Sequence, residues 1–227
     1  MKKRIKFHGF LIFLSLVLIA VFPDYFLSRG YSGARGIIVN ALCAFVIIWG
    51  YFIRISSRGI KSELNPDGKT LVTVGPYKAT RNPMYFGTFM IGLGLSLMIF
   101  RWWVALLFFA VYLLIYLPLI GGEEKILASR FGDDFHTYCR KTAKFFPRKI
   151  IFSLPAKPAW IEKELASSLA PLIALIFALR AWADFKFFGS VKWPGMFFML
   201  IIFSVWLLAF LLLARLKHTK NGTSGTS

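Results

Sequence analysis

Between Met84 and Ile120 the chain carries no charge except Arg101. A single helix over this run, rising about 1.5 Å per residue, would far exceed the roughly 30 Å hydrocarbon core of a bilayer. The run must therefore fold back on itself. Arg101 is followed directly by Trp102 and Trp103, the combination of charge and amphipathic rings that settles at a membrane interface. A tight hairpin is predicted there, joining spans Met84–Phe100 and Trp102–Ile120. Gly92 and Gly94 fall inside the first of these spans. Without a third glycine they form no nucleotide loop, and close helix packing is their expected use.

Four further apolar runs extend the pattern to an all-α, polytopic membrane bundle of about six spans, in keeping with a chain that is 57% hydrophobic and 17% charged. They are Met1–Phe22, Gly36–Ile53, Leu165–Ala183 and Trp193–Ala214. The start, with Lys2, Lys3, Arg4 and Lys6 before an apolar core, is also how a signal peptide begins. No small-x-small site follows near Ala20, and the apolar character continues beyond Pro23 and Asp24, so a retained first span is expected. After Arg54 the residues Ser56, Ser57, Arg58 and Gly59 and the turn-forming stretch Glu63–Gly68 predict a polar loop. The chain divides into residues 1–68 (two spans and a loop), 69–148 (a core with spans three and four) and 149–227 (a proline-broken linker, two spans and a polar tail).

The net charge of +18 is spread over the gaps between apolar runs, which argues against a nucleic-acid groove. It orients the chain instead. With the amino terminus inside, 22 of the 28 Lys and Arg fall on the cytoplasmic side. The expected location is a prokaryotic inner membrane, with the segments around residues 69–87 and 121–148 facing the cytoplasm. Cys43 and Cys139 have neither disulfide nor metal spacing, and the histidines are scattered, so no metal site is expected.

Two polar blocks carry the chemistry. The first is KTLVTVGPYKATRNPMYFG, Lys69 to Gly87. Gly75-Pro76-Tyr77 forces a turn, and Lys69, Thr70, Leu71 and Val72 before it could lay extended backbone beside a flat ring. Asn82-Pro83 suits a helix start, as an N-cap and a first helical residue. Such a start aims free N–H groups and a positive dipole outward, so Asn82, Pro83 and Met84 mark a place for a carboxylate. Arg81 and Tyr85, four apart, would share a face if the helix frayed back a turn. Arg81 could equally anchor a lipid phosphate. The second block begins at Glu123-Glu124, directly after an apolar span. The pair is either a solvated helix end or a set of acceptors for a diol. Pro118 and Gly121-Gly122 are expected to bend the chain just before it.

Together the blocks resemble the isoprenylcysteine carboxyl methyltransferase family. Its first motif reads G-x-Y-x-x-x-R-H-P-x-Y-x-G, and Gly75, Tyr77, Arg81, Pro83, Tyr85 and Gly87 match it, with Asn82 in place of His. Its second, E-E-x-x-L followed by F-G and a spaced Tyr, is matched by Glu123, Glu124, Leu127, Phe131, Gly132 and Tyr138. The resemblance implies S-adenosyl-L-methionine as cofactor, bound by the loop from Lys69 to Tyr85 and by the glutamates, with Glu123 on the ribose. It implies a lipophilic or lipidated acceptor entering from the membrane. The family arginine tied to a prenylcysteine acceptor is Leu119 here. With the motif His absent, a carboxylate or thiolate acceptor, already ionised, is favoured over an amine that must lose a proton. No catalytic residue is singled out. The alternatives are a phospholipid N-methyltransferase, an NADPH-dependent reductase of the sterol-reductase type, which carries a related R-H-P-x-Y block, and a membrane scaffold without activity.

Overall fold

The computed structural model describes residues 21–28 and 33–148, with five isolated positions, Val17, Ile19, Ala178, Ala181 and Ile201, outside them. The first, fifth and sixth expected spans lie outside the described residues. The described part is helical, with no strand beyond two isolated bridges. Its elements are a single turn α1 (Pro23–Phe26), α2 (Gly33–Leu64), a 3-10 turn (Gly75–Lys78), α3 (Pro83–Ile99) and α4 (Trp102–Lys141). Two helical stretches, Ile38–Leu64 and Trp102–Lys141, are long and apolar enough to cross a membrane, and α3 is a shorter apolar helix.

The predicted hairpin is present, with the break one residue from its predicted place. Phe100 is extended and its N–H closes α3 onto the Ser96 carbonyl. The Arg101 N–H then donates to Phe26 O at 2.9 Å, and Ser28 N–H to Ile99 O at 2.9 Å, so the corner is laced to the segment after α1. Leu27 is buried beneath it with Ile47, Met98 and Ile99.

α2 departs from expectation. The polar loop predicted after Arg54 is helix as far as Leu64, and Ser56 and Ser57 are buried. The Ser57 hydroxyl donates to the Ile53 carbonyl one turn back, which lets a polar side chain remain inside a helix. The helix stops where Pro66 forbids continuation. Asn65 and Asp67 then accept the backbone N–H groups of Thr70 and Lys69, and Gly68, at φ 76°, makes the turn.

α2 and α3 lie against each other through glycines. A Cβ built on Gly87 would lie 2.5 Å from the Gly50 carbonyl oxygen, and one on Gly94 would lie 2.6 Å from Ile47 Cγ1 and 3.0 Å from the Cys43 carbonyl. Gly92 faces α4 and meets the Phe108 ring. Close packing, rather than a ligand loop, is thus the use of these mid-span glycines.

α4 covers 40 residues as two helical pieces, and the first, residues 102–131, rises about 45 Å, more than the apolar core of a bilayer. Its helical geometry continues through Pro118 and Gly121-Gly122, where a bend was expected. The break falls at Gly132, with φ 49° and ψ −125°, a conformation open to glycine because it lacks a Cβ. Beyond it the chain turns back, and residues 142–146 return beside the start of α3, where Thr80 and Ala143 form a parallel bridge. Phe145 is buried in this return, packed with Phe89, Tyr112 and Ile120.

Candidate functional site

The hairpin at Arg101 sets the glutamates opposite the start of α3, and the return past Gly132 adds residues 138–144 to the same junction. Arg81 is the centre of the junction. Its Nε donates to Glu124 Oε1 at 2.8 Å and its Nη2 to Glu124 Oε2 at 3.4 Å, while Nη1 serves the carbonyls of Cys139 at 3.0 Å and Thr142 at 3.1 Å. The Arg81 backbone N–H adds a bond to Ala143 O at 2.8 Å. The guanidinium therefore caps the end of α4 and neutralises Glu124 at once, using its planar fork as a lysine could not.

Asn82 is the residue before α3, but its side chain does not cap that helix. The expectation that it would is corrected here. Its amide donates to the Lys144 carbonyl at 2.9 Å and to Glu124 Oε1 at 3.3 Å. One acceptor on α4 and one on the returning chain hold the amide away from the helix end. Pro83, at the first helical position, is fully buried. Met84 is half-buried, and its carbonyl accepts the Thr88 hydroxyl.

Glu123 behaves differently from its neighbour. It is exposed, and Tyr85 donates its phenol to Glu123 Oε1 at 2.6 Å, the short length of a bond to an ionised acceptor. Tyr85 lies beside Tyr116 with ring centroids 5.5 Å apart, and Tyr116 stacks on Tyr112 at 4.2 Å. Tyr112 in turn donates to the Tyr85 carbonyl at 2.7 Å. The junction thus offers one exposed carboxylate set against a tyrosine wall and one carboxylate spent on internal contacts.

The remaining residues of the first block lie further along. Val72 and Tyr77 are buried together with Ile60. Tyr138, just before the end of α4, donates to the Tyr77 carbonyl at 2.7 Å. Burial pushes both phenols well above the usual tyrosine range, so Tyr138 remains a donor. Burial likewise raises the Cys139 thiol. Gly75, at φ 63°, allows the turn. Lys69 and Thr70 are exposed and Leu71 is half-buried; their loop is tied to α4 by Arg130, whose Nη1 donates to Gly68 O at 2.8 Å, rather than by the glutamates.

Sequence reasoning passed over Tyr112, Tyr116 and Lys144. The first two stand four apart, which puts them on one face of α4, and that spacing next to Glu123 was a usable signal. Lys144 gave no local signal, because its place depends on the break at Gly132.

The phospholipid methyltransferase family model matches residues 29–134, which contain the first block, the glutamates and the tyrosine wall. Residues 29–134 of this chain are thus similar to the phospholipid methyltransferase family. The chain is also similar to individual proteins. The chain is 37% identical over 83 residues to the cobalt-zinc-cadmium resistance protein CzcN of Cupriavidus metallidurans, covering 37% of this chain and 38% of that one. It is 35% identical over 82 residues to the nickel-cobalt-cadmium resistance protein NccN of Alcaligenes xylosoxydans, covering 36% and 38%. It is 29% identical over 135 residues to the protein-S-isoprenylcysteine O-methyltransferase of Schizosaccharomyces pombe, covering 56% and 55%. These matches span little more than a third to just over half of the relatives' lengths. No solved structure matches the chain. Among the described residues no group of three or more His, Cys, Asp and Glu could hold a metal ion.

Proposed function

We propose that this membrane protein is an S-adenosylmethionine-dependent methyltransferase acting on a lipophilic acceptor drawn from the bilayer, with its site on the cytoplasmic side. The observation that carries the reading is the exposed Glu123 carboxylate, held by Tyr85 where the two blocks meet. An ionised carboxylate offers only acceptors and suits the paired hydroxyls of a ribose. Tyr85 orients it and leaves its second oxygen for that use. The family match and the resemblance of both blocks support the same cofactor class.

The donor set fits such a cofactor at Glu123 and does not fit at Arg81. Every nitrogen of the Arg81 side chain is committed within the protein, so the carboxylate partner expected there is not available. The cofactor, when bound, supplies an electrophilic methyl group on a cationic sulfur. What remains for the chain is to position the acceptor and exclude water, since methyl transfer to an anionic nucleophile loses charge as it proceeds. The tyrosine wall of Tyr85, Tyr112 and Tyr116 and the apolar surface of α4 below it provide a water-poor face for this. A carboxylate or thiolate acceptor requires no base from the protein. An amine headgroup, the second reading, is favoured by the family that matches residues 29–134; such an acceptor must lose a proton before it attacks.

Purified protein in detergent, titrated in parallel with S-adenosylhomocysteine and NADPH, should bind the first and not the second. Glu123→Ala should weaken S-adenosylhomocysteine by about 1.5 to 3 kcal/mol, the worth of hydrogen bonds to a charged group. Binding of NADPH alone would favour the reductase reading, and binding of neither would favour a scaffold.

A further inference from the structure

We infer that Lys144 receives the carboxylate of the cofactor's amino-acid arm. This rests on the S-adenosylmethionine reading above, and it assigns a residue that neither polar block contains.

A ligand carrying a carboxylate needs a cation or free N–H groups at the site, and the two obvious candidates are closed. Arg81 spends its side chain on Glu124 and on the Cys139 and Thr142 carbonyls. At the start of α3, Pro83 has no N–H, and the Asn82 amide is committed to Glu124 and to the Lys144 carbonyl.

Lys144 has the opposite properties. Its backbone is held from two sides, since its carbonyl accepts Asn82 Nδ2 at 2.9 Å and Thr80 Oγ1 at 3.2 Å. Among the described residues its ammonium is held only by one long ion pair to Glu124, whose shorter partner is Arg81. The closest acidic atom, Glu124 Oε2, is 3.7 Å away, beyond hydrogen-bonding range, and the Lys144 side chain is 42% exposed. An ammonium has three donors to give. It stands against α4 at Gly121, 3.7 Å from where a Cβ would be, and Gly122 has open space where its Cβ would stand. Glu123 follows directly. Lys144 and Glu123 thus border a stretch of α4 without side chains, one positive and one negative, matching a ligand with a carboxylate at one end and a neutral diol further along.

Arg54 is the competing cation. It stands at the contact of α2 with α3, against Gly87, and donates one nitrogen to Thr88 at 3.1 Å.

The test compares two ligands on the full chain in detergent: S-adenosylhomocysteine, which carries the amino-acid arm, and 5′-methylthioadenosine, which keeps the nucleoside and lacks it. Lys144→Gln should weaken the first about 10-fold, as for one charge-assisted contact, and leave the second unchanged. Lys144→Arg should retain most of the affinity. Retained 5′-methylthioadenosine binding shows that the variant is folded. Unchanged affinity for both ligands, equal losses for both, or a selective loss in Arg54→Gln instead would each overturn the assignment to Lys144 while leaving the cofactor reading intact. A wild-type chain that binds neither ligand overturns the cofactor reading, and the assignment with it.

Discussion

Arg81 shows how much one side chain can decide. Its side chain is 13% exposed and that of Glu124 15%, so both charges are largely withdrawn from water, and removing one leaves the other uncompensated. Arg81→Ala should therefore cost about 3 kcal/mol, read as a lower melting temperature of the helical circular dichroism signal in detergent. Arg81→Lys should recover only part of this, because a single ammonium cannot serve a carboxylate and two carbonyls. A loss below about 1 kcal/mol in the alanine variant, the worth of a surface pair, would mean that Glu124 reaches solvent when its partner is gone. The motif resemblance singled out both residues, but not that they are partners. Asn82 followed the same course: its type suggested a helix cap, and its amide instead joins the returning chain at Lys144.

At the level of helices, the glycine at the end of the first motif is explained by packing. Gly87 admits the Gly50 carbonyl so closely that even a methyl group would strike backbone, and backbone on two packed helices has nowhere to move. Gly87→Ala should destabilise by about 1 to 3 kcal/mol, the usual cost of overpacking. Gly92→Ala should be milder, since the added methyl meets the far end of the Phe108 ring, which can turn aside. Melting temperatures of the two variants compare them directly; an equal drop would show that the α2 and α3 backbones can separate. The hairpin at Arg101 was legible because a charge beside two tryptophans marks an interface wherever it stands. The extension of α2 to Leu64 was not. Ser56 and Ser57 look like a loop by composition, and burial against neighbours makes helix the better state for them.

For the whole molecule, the bias of 22 of the 28 basic residues to one side gives an orientation that can be checked without knowing the reaction. In intact cells a membrane-impermeant maleimide should not reach Lys69→Cys, and should label Arg101→Cys at the opposite end of α3. The reverse pattern would invert the proposed topology. Composition and local order by themselves determined that the chain is helical with apolar runs long enough to cross a membrane, that the run from Met84 folds back at Arg101, and where its two polar blocks lie. Those are properties of consecutive residues, set by hydrophobic length, charge and turn chemistry. The tertiary structure alone decided that Glu124 is spent on Arg81 while Glu123 remains exposed on Tyr85, that Asn82 holds the returning chain, and that Lys144 arrives beside the glutamates. Arg81 and Glu124 are 43 residues apart, and adjacent glutamates on a helix point about 100° apart. Which of them faces inward depends on the rotation of α4 and on the turn at Gly132 that carries residues 142–146 back to α3.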